Sequence, residues 1–470
     1  MSHRRLTILT VAAVLAGTAV FFTLLTATEP KKAAQTVSGA VAAPSVTCTG
    51  AFCYSTPQTL TAADFCDFDG TGSVTQGASL SFSQCVELSV HGLREGAEYG
   101  TENYQCLESA LALVGQFTTQ QPKRYWNTLF RLTLPPGVYE LDGNGQPLHI
   151  FPRTWLSMEG VTLRKCDRAC SALLRNTPAN SAYSGYEGNS DLVLTGGIWE
   201  VPLSSFDSHS DENRFSVLRF GHCRNLILAG VTVSGCVNGH HLELCGVRDS
   251  SILNCVFQGY LDTNYHGIGD KKEAIQLDVV HNRQIAPGFS HFDDTITQDV
   301  LIYGCHFQHL CRGIGGHSAV YGLPYSKIAI WNNTFSHLSG ESVYALNYAH
   351  TQIIGNQMKQ VVGGVCLLAL TDHPDTEGYY APARGALPPL AQIHCSSYDL
   401  TVTDNLIQLS PQSGQTPVAI AVRGGVYQDE AFAQVYGGGV FWAEDVTLAR
   451  NQLTGGIIDL NYVRTQTKRA

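Results

Sequence analysis

A short phrase recurs along this chain at irregular intervals, and it limits the possible folds more than any other feature. An apolar pair leads to a Cys or Asn, an apolar residue follows two positions later, and a turn and a second apolar strand complete the unit. It reads Ile252-Leu253-Asn254-Cys255-Val256-Phe257, Ile302-Tyr303-Gly304-Cys305-His306-Phe307 and Ile330-Trp331-Asn332-Asn333-Thr334-Phe335, and it recurs around Asn356, Asn405 and Asn451. One such unit cannot bury its own apolar face and must stack on its neighbours. The recurring position advances by 28 residues from Cys305 to Asn333 and by 23 from Asn333 to Asn356. Repeats that short leave no room for a helix between strands. They predict an all-β chain whose coils of two or three short strands stack into a right-handed parallel β-helix, equivalent residues lying about 4.8 Å apart. An Asn at the turn can bond backbone amides or the next Asn, whereas a Cys packs there as a small hydrophobe. The ladder, with Cys236, Cys255 and Cys305 placed on it, is therefore read as structural.

Charged residues make up only 14% of the chain, with 46 Gly and 3 Met, which suits a turn-rich β protein rather than a helical one. The N-terminus is different. Met1-Ser2-His3-Arg4-Arg5 leads into an uncharged stretch from Leu6 to Ala27, long enough at about 1.5 Å per residue to cross a bilayer. Residues 1–27 are read as a cytoplasmic stub and transmembrane signal-anchor with the N-terminus inside, a cleaved signal peptide being the alternative. Residues 28–60, rich in Ala, Thr, Ser and Pro, read as a flexible stalk, and 61–470 as the β-helix domain. The protein is thus expected to be membrane-anchored with an extracytoplasmic domain, or secreted if the leader is cleaved. Arg4, Arg5, Lys31 and Lys32 against Glu29 give the leader a net positive charge within a chain of net −10. The remainder is therefore the more acidic part, which argues against nucleic acid as a partner. Among 15 cysteines, Cys48/Cys53 and Cys166/Cys170 are spaced for disulfides in an exported protein. No CxxC pair or other metal-ligand spacing occurs, so neither a metal nor a cofactor is expected.

The helical run Tyr104–Leu113, then Thr133-Leu134-Pro135-Pro136-Gly137-Val138-Tyr139, then Leu148-His149-Ile150 and Trp155–Val161, resemble the opening of pectin lyase-like right-handed β-helix proteins. The resemblance takes in Leu192–Trp199 and continues to about residue 460. It implies a short helix capping the open N-terminal end of the stack, as exposed strand edges require. The segments His240-His241-Leu242-Glu243, Glu273–Asp278 and Arg312–His317 resemble a series found in a group of exported bacterial β-helix proteins. The superfamily implies work on polysaccharides by hydrolases, lyases or epimerases, and it admits a homo-oligomer, since such β-helices often trimerise.

Those three segments read as one strand in consecutive coils. With Leu242, Ile275 and Ile314 inward, strand alternation sets Glu243, Gln276 and Gly315 in one outward column. Cys245, Asp278 and His317 form the next, and His241, Ala274 and Gly313 the one before. The solvent face is predicted to carry Glu243, Asp278, His241, Gln276 and His317, with room for a sugar ring over Ala274, Gly313 and Gly315. A glycosidase needs two carboxyl groups at a set separation. One coil and two residues put Glu243 and Asp278 roughly 8 Å apart at Cα, within the roughly 6.5–9.5 Å inverting range. His317 over Asp278 would orient it or hold it ionised. Glu243, Asp278 and His317 are the catalytic candidates.

Binding roles fall to His241, Gln276, Glu273, Arg312, Asp294 and Tyr265. Glu273 and Arg312 align at the strand start and can equally be an interstrand ion pair. Inserted loops carry Tyr260, Asp262, Tyr265, His266, His281, His291, Asp293 and Asp294, and are expected to wall a cleft, with Asp293 or Asp294 as a further carboxylate. The expected partner is a polysaccharide or glycan, and the expected activity its hydrolysis. Two alternatives stand: a lyase on a uronate polymer using Lys271, Lys272 and Arg312, and a tethered β-helix that binds glycans without turnover.

Overall fold

The computed structural model describes residues 35–38, 47–53, 58–66, 77–169, 172–178, 181–206, 216–263, 272–286, 288–370, 380–382, 397–411, 416–426, 440–464 and 467–468. The expected signal-anchor, 1–27, lies outside them. Among the described residues no helix is long and apolar enough to cross a membrane.

Three parallel ribbons of short strands run the length of the molecule, and the chain visits each once per coil. The first ribbon passes through Gln84–Ser89, Thr128–Thr133, Thr154–Ser157, Leu192–Thr195 and the second half of Leu218–Ala229, and continues through Gln298–Tyr303, Tyr325–Trp331 and Tyr348–Ile354. The second includes Val256–Gln258 and His306–Leu310. The third includes the first half of Leu242–Leu253, then Glu273–Asp278 and Arg312–Gly315. This is the parallel β-helix predicted from the repeat.

Each coil turns its corners with residues in the left-handed backbone region. Asn225, Asp249, Asp299, Lys327, His350, Asp399 and Asp445 do so between the third and first ribbons, and Asn254, Gly304, Asn332, Gly355, Asp404 and Arg450 between the first and second. Short polar side chains tolerate this region because they bond locally. Gly304 has a second reason, since a Cβ there would fall 2.3 Å from the Asn254 Oδ1 one coil below.

Directly after the second corner stands the ladder. The Cys305 N–H donates to Asn333 Oδ1, the Asn333 N–H to Asn356 Oδ1, the Asn356 N–H to Asn405 Oδ1 and the Asn405 N–H to Asn451 Oδ1, at 2.9–3.1 Å. Cys255 and Cys305 hold the same position as buried thiols. Cys236 does not. Thr232 is in register with Val256, so Val231 faces Cys255, and Cys236 lies further along its coil. Inside the second ribbon, Phe257, Phe307 and Phe335 stack nearly parallel at 5.2 and 4.6 Å, each such pair adding about 0.5–1.5 kcal/mol beyond burial.

The helix Gly100–Gly115 closes the N-terminal end. Leu107, Ala110, Leu111 and Val114 recur at helical spacing and are all buried, and Asn103 and Glu108 tie it to the first coil through Arg94, Glu140 and His149. The segment expected to be a flexible stalk is in part paired. Gln35–Ser38 pairs with Thr47–Cys53, which pairs antiparallel with Gln84–Ser89. The reason is the same one that calls for the helix: the first strand has an edge whose amides and carbonyls need partners. A hairpin of Gln58–Thr61 and Ser79–Phe82 then lies back along the outside of the first ribbon. Leu60, Ala62, Ala78, Leu80 and Phe82 cover Val193, Ile227, Leu253, Leu301 and Ala329 there. The side chains of Cys48 and Cys53, and Cys170, lie outside the described residues.

Candidate functional site

The third ribbon carries the predicted cluster in the predicted register. Leu242 pairs with Ile275 and Ile275 with Ile314; Glu243 pairs with Gln276 and Gln276 with Gly315; Cys245 pairs with Asp278. Leu242, Leu244, Ile275, Leu277 and Ile314 are fully buried inside the coil, as expected. The outer face is not open to solvent. Glu243 is 2%, Gln276 4%, Asp278 1% and Glu273 0% exposed.

Two segments from inserted loops cover its Cys245 end. Ser290 N–H donates to the Ser181 carbonyl, Tyr186 hydroxyl to the Ile296 carbonyl, and the Asp293 carboxylate accepts from Ser184 and from the Gly185 N–H. These bonds clip 181–188 to 288–296. Beneath the clip, Phe289, Ala286 and Val280 pack on Cys245, and the Phe289 ring stands edge-on to His222 at 4.9 Å. Asp293 is held below the usual carboxylate range: burial pushes it up, but the bonds from Thr295, Gly185 and Ser184 outweigh that. Asp294 is spent in the cover as well, with its Oδ1 2.5 Å from His281 Nδ1. The expected space over the small residues is also absent. A Cβ on Gly313 would meet the Ser342 carbonyl at 2.3 Å, and one on Gly315 the Tyr344 carbonyl at 2.2 Å, so these glycines admit the next coil rather than a sugar.

Along this face the ionisable groups form two sets. In the first, Glu243 Oε2 accepts from Arg219 Nη2 and Ser216 Oγ, both at 2.6 Å. Its Oε1 is buried without a partner among the described residues. Asp278, one coil on, accepts a short bond from the Ser318 hydroxyl, and the Tyr325 hydroxyl donates to the Ser318 carbonyl at 2.9 Å. Burial pushes the Asp278 carboxyl well above its usual range; Ser318 opposes this, and the charges of Glu243 and Glu273 add to it.

The second set is a charge ladder. His240 Nδ1 donates to the Glu273 carbonyl at 2.7 Å, Glu273 Oε1 accepts from Arg312 Nη1 at 3.1 Å, and Arg312 Nε donates to Glu341 at 2.7 Å. Arg312 also lies 3.8 Å over the Tyr344 ring. The interstrand pairing of Glu273 with Arg312 is therefore real, with the Glu273 side chain fully buried and that of Arg312 10% exposed. Burial alone would raise Glu273, but His317, His240 and Arg312 reverse this and hold its carboxyl far below the usual range. His240 is driven well below its usual range by burial, against the pull of Glu273.

Two predicted neighbours are exchanged. His317 does not stand over Asp278: its Nδ1 is 3.1 Å from Glu273 Oε2, and Ser318 takes Asp278 instead. The strand ends at Gly315, and Gly316 passes so close to the coil below that a Cβ would meet the Leu277 carbonyl at 2.5 Å. Alternation stops there, and His317 swings back along the face. His241 is not on the face either. It is fully buried, its Nε2 lies 3.2 and 2.9 Å from the Gln258 and Gly259 carbonyls, and its ring meets core Phe257 edge-on. Burial lowers its imidazole to about 4. Tyr265, His266 and Lys271 lie outside the described residues. The sequence reading missed His240, Arg219, Ser216 and Ser318. His240 had a signal, since it precedes Glu243 by the interval that separates Glu273 from Gln276.

No protein-family model and no curated protein matches this chain. Among solved structures it is similar to the Streptococcus pneumoniae surface protein and adhesin PfbA, at 17% identity, covering 77% of this chain and 85% of that one with a TM-score of 0.57. It is also similar to a second structure of PfbA, at 14% identity, 77% and 89% coverage and a TM-score of 0.48. The A-module of the Azotobacter vinelandii mannuronan C-5 epimerase AlgE4 matches at 12% identity, 78% and 95% coverage and a TM-score of 0.32. The likeness to the first PfbA structure is one of fold, that of a right-handed β-helix.

Proposed function

We propose that this right-handed β-helix is an extracytoplasmic carbohydrate-active enzyme that hydrolyses a glycosidic bond at its third ribbon, with Asp278 as proton donor and Glu243 as base. The observation that carries the reading is the separation of roles among three carboxyl groups on one face. Asp278 is pushed toward its protonated form by burial, Glu273 is held ionised by His317, His240 and Arg312 against its burial, and Glu243 keeps one bare oxygen beside its Arg219 pair. Groups whose environments drive their protonation apart are what acid and base roles require. The offset of one coil and two residues supports the inverting spacing. Substrate reaches the pair when the Phe289 cover withdraws. Gln276, Glu273 and Arg312 then line the sugar site, and the Leu6–Ala27 leader supports export.

A second reading has its own observation. Asp278 is 1% exposed, and the PfbA structure is that of a surface protein and adhesin, which favours a β-helix that binds glycans without turnover. The full chain incubated with neutral and uronate polysaccharides separates the readings. New reducing ends, reduced at least about 100-fold in E243Q and in D278N, are the expected result. Turnover that survives both substitutions overturns the assignment of residues, and unsaturated-uronate absorbance replaces hydrolysis by elimination. Binding without turnover leaves the adhesive reading.

A further inference from the structure

His240, Glu273 and His317 stand apart in sequence by 33 and 44 residues, outside any ligand-spacing motif, yet they meet at one point of the third ribbon. One ligand atom from each lies within 4.8 Å of the other two. The two imidazoles face one another at 18° with ring centroids 5.6 Å apart, and the Glu273 carboxylate is beside both, its Oε2 3.1 Å from His317 Nδ1 and 3.8 Å from His240 Nδ1.

We propose that these three residues form a binding site for a divalent transition metal of the zinc class, beside Glu243 and Asp278 on the same ribbon and sharing Glu273 with the proposed sugar site. Two imidazoles and one carboxylate are a donor set that such ions favour, and three protein ligands leave a further position for water.

The surroundings are those of a held ligand set. The His240 ring is oriented by its Nδ1 bond to the Glu273 carbonyl. Glu273 Oε1 is occupied by Arg312, which turns Oε2 to the two rings. Arg312 is itself shared with Glu341, so its charge is not directed at the cluster alone. Ligating groups anchored through their second atoms in this way lose little freedom on binding. His317, with a side chain 24% exposed where Glu273 is 0%, is the movable member and the route of entry.

The test is titration of the full chain with Zn²⁺ by calorimetry, and with Co²⁺ by its visible spectrum. One tight equivalent per chain and a tetrahedral Co²⁺ band are expected, with affinity at least about 10-fold weaker in H317Q and in H240Q. His309 and His337, an exposed stacked pair on another corner, give the control: H309Q/H337Q retains the site. No binding by the natural chain, or binding lost only with His309 and His337, overturns the proposal and leaves an ordinary hydrogen-bonded ion network. Urea midpoints of H317Q and H240Q distinguish loss of ligand from loss of fold.

Discussion

Removing one rung of the asparagine ladder tests how far this fold rests on its corners. Asn356 is fully buried and its side chain makes four hydrogen bonds. Oδ1 accepts from the Asn333 N–H at 2.9 Å and from Asn333 Nδ2 at 3.0 Å; Nδ2 donates to the Ile330 carbonyl and to Asn405 Oδ1, each at 2.9 Å. N356A removes all four. Asn405 Oδ1 keeps the Asn356 N–H and Asn333 Nδ2 keeps the Ile302 carbonyl, so two partners are weakened and two, the Asn333 N–H and the Ile330 carbonyl, lose what the side chain supplied. At about 1–3 kcal/mol for each orphaned buried group, the expected loss is about 4 kcal/mol. N451A should cost only about 1 kcal/mol, because Asn451 is the last rung and half-buried, so water reaches the groups it leaves. Urea unfolding of both variants, read as the shift of the first transition at common slope, measures the difference. A loss below about 1 kcal/mol for N356A, or an equal loss for N451A, refutes the ladder as a main support of the stack.

The pair of buried Glu243 with partly exposed Arg219 predicts a cost of about 2–3 kcal/mol for R219L, which leaves the Glu243 carboxylate with only Ser216; R219L/E243L should recover most of it in a double-mutant cycle read by urea midpoints. G221A sets a Cβ 2.1 Å from the Phe289 ring, so it should destabilise the chain by about 1–3 kcal/mol, with F289L restoring stability in the same thermal melts. Two carboxyls give pH limbs of opposite sign in a series of urea midpoints. Asp278, raised by burial, contributes stability that is full below about 3.9 and is lost as pH rises through its folded value, so D278N flattens the alkaline side. Glu273, lowered by His317, His240 and Arg312 against its burial, contributes stability that is full above about 4.3 and is lost on acidification, so E273Q lacks the acid limb.

The parts of this structure that recur were legible in the sequence, and the parts that occur once were not. Asn333, Asn356, Asn405 and Asn451 could be aligned by their flanking apolar residues, and so could Leu242, Ile275 and Ile314, which fixed the register of the candidate site. Alternation also names the column of Glu243, Gln276 and Gly315 correctly, but it misplaces His241, which lies in the core, and it says nothing of what lies over the column. The cover comes from 181–188 and 280–296, insertions with no period, held by single contacts such as Asp293 to Gly185. Without them, Glu243 and Asp278 looked solvent-facing. His317 was misplaced for a related reason: strand alternation extends only as far as the strand, and Arg312–Gly315 ends two residues earlier. Within the segment read as a stalk, the pairing of Thr47–Cys53 was not legible, because composition describes the segment whereas its pairing is dictated by the open edge of Gln84–Ser89.

The hairpin laid along the first ribbon sets an order of events in making this protein. Ala78 N–H donates to Ser251 Oγ and Gly77 N–H to Asp299 Oδ1, contacts that span 173 and 222 residues of chain. Elsewhere a coil can settle on the one before it as soon as it is synthesised. The hairpin cannot: the surface it covers extends to Leu301 and Ala329, so at about 5–20 residues per second it waits tens of seconds after leaving the ribosome. During that interval its apolar residues and the first-ribbon face are both bare. The N-terminal segment is thus among the first parts made and among the last to dock, and a nascent chain stalled before residue 300 should be the species that engages chaperones.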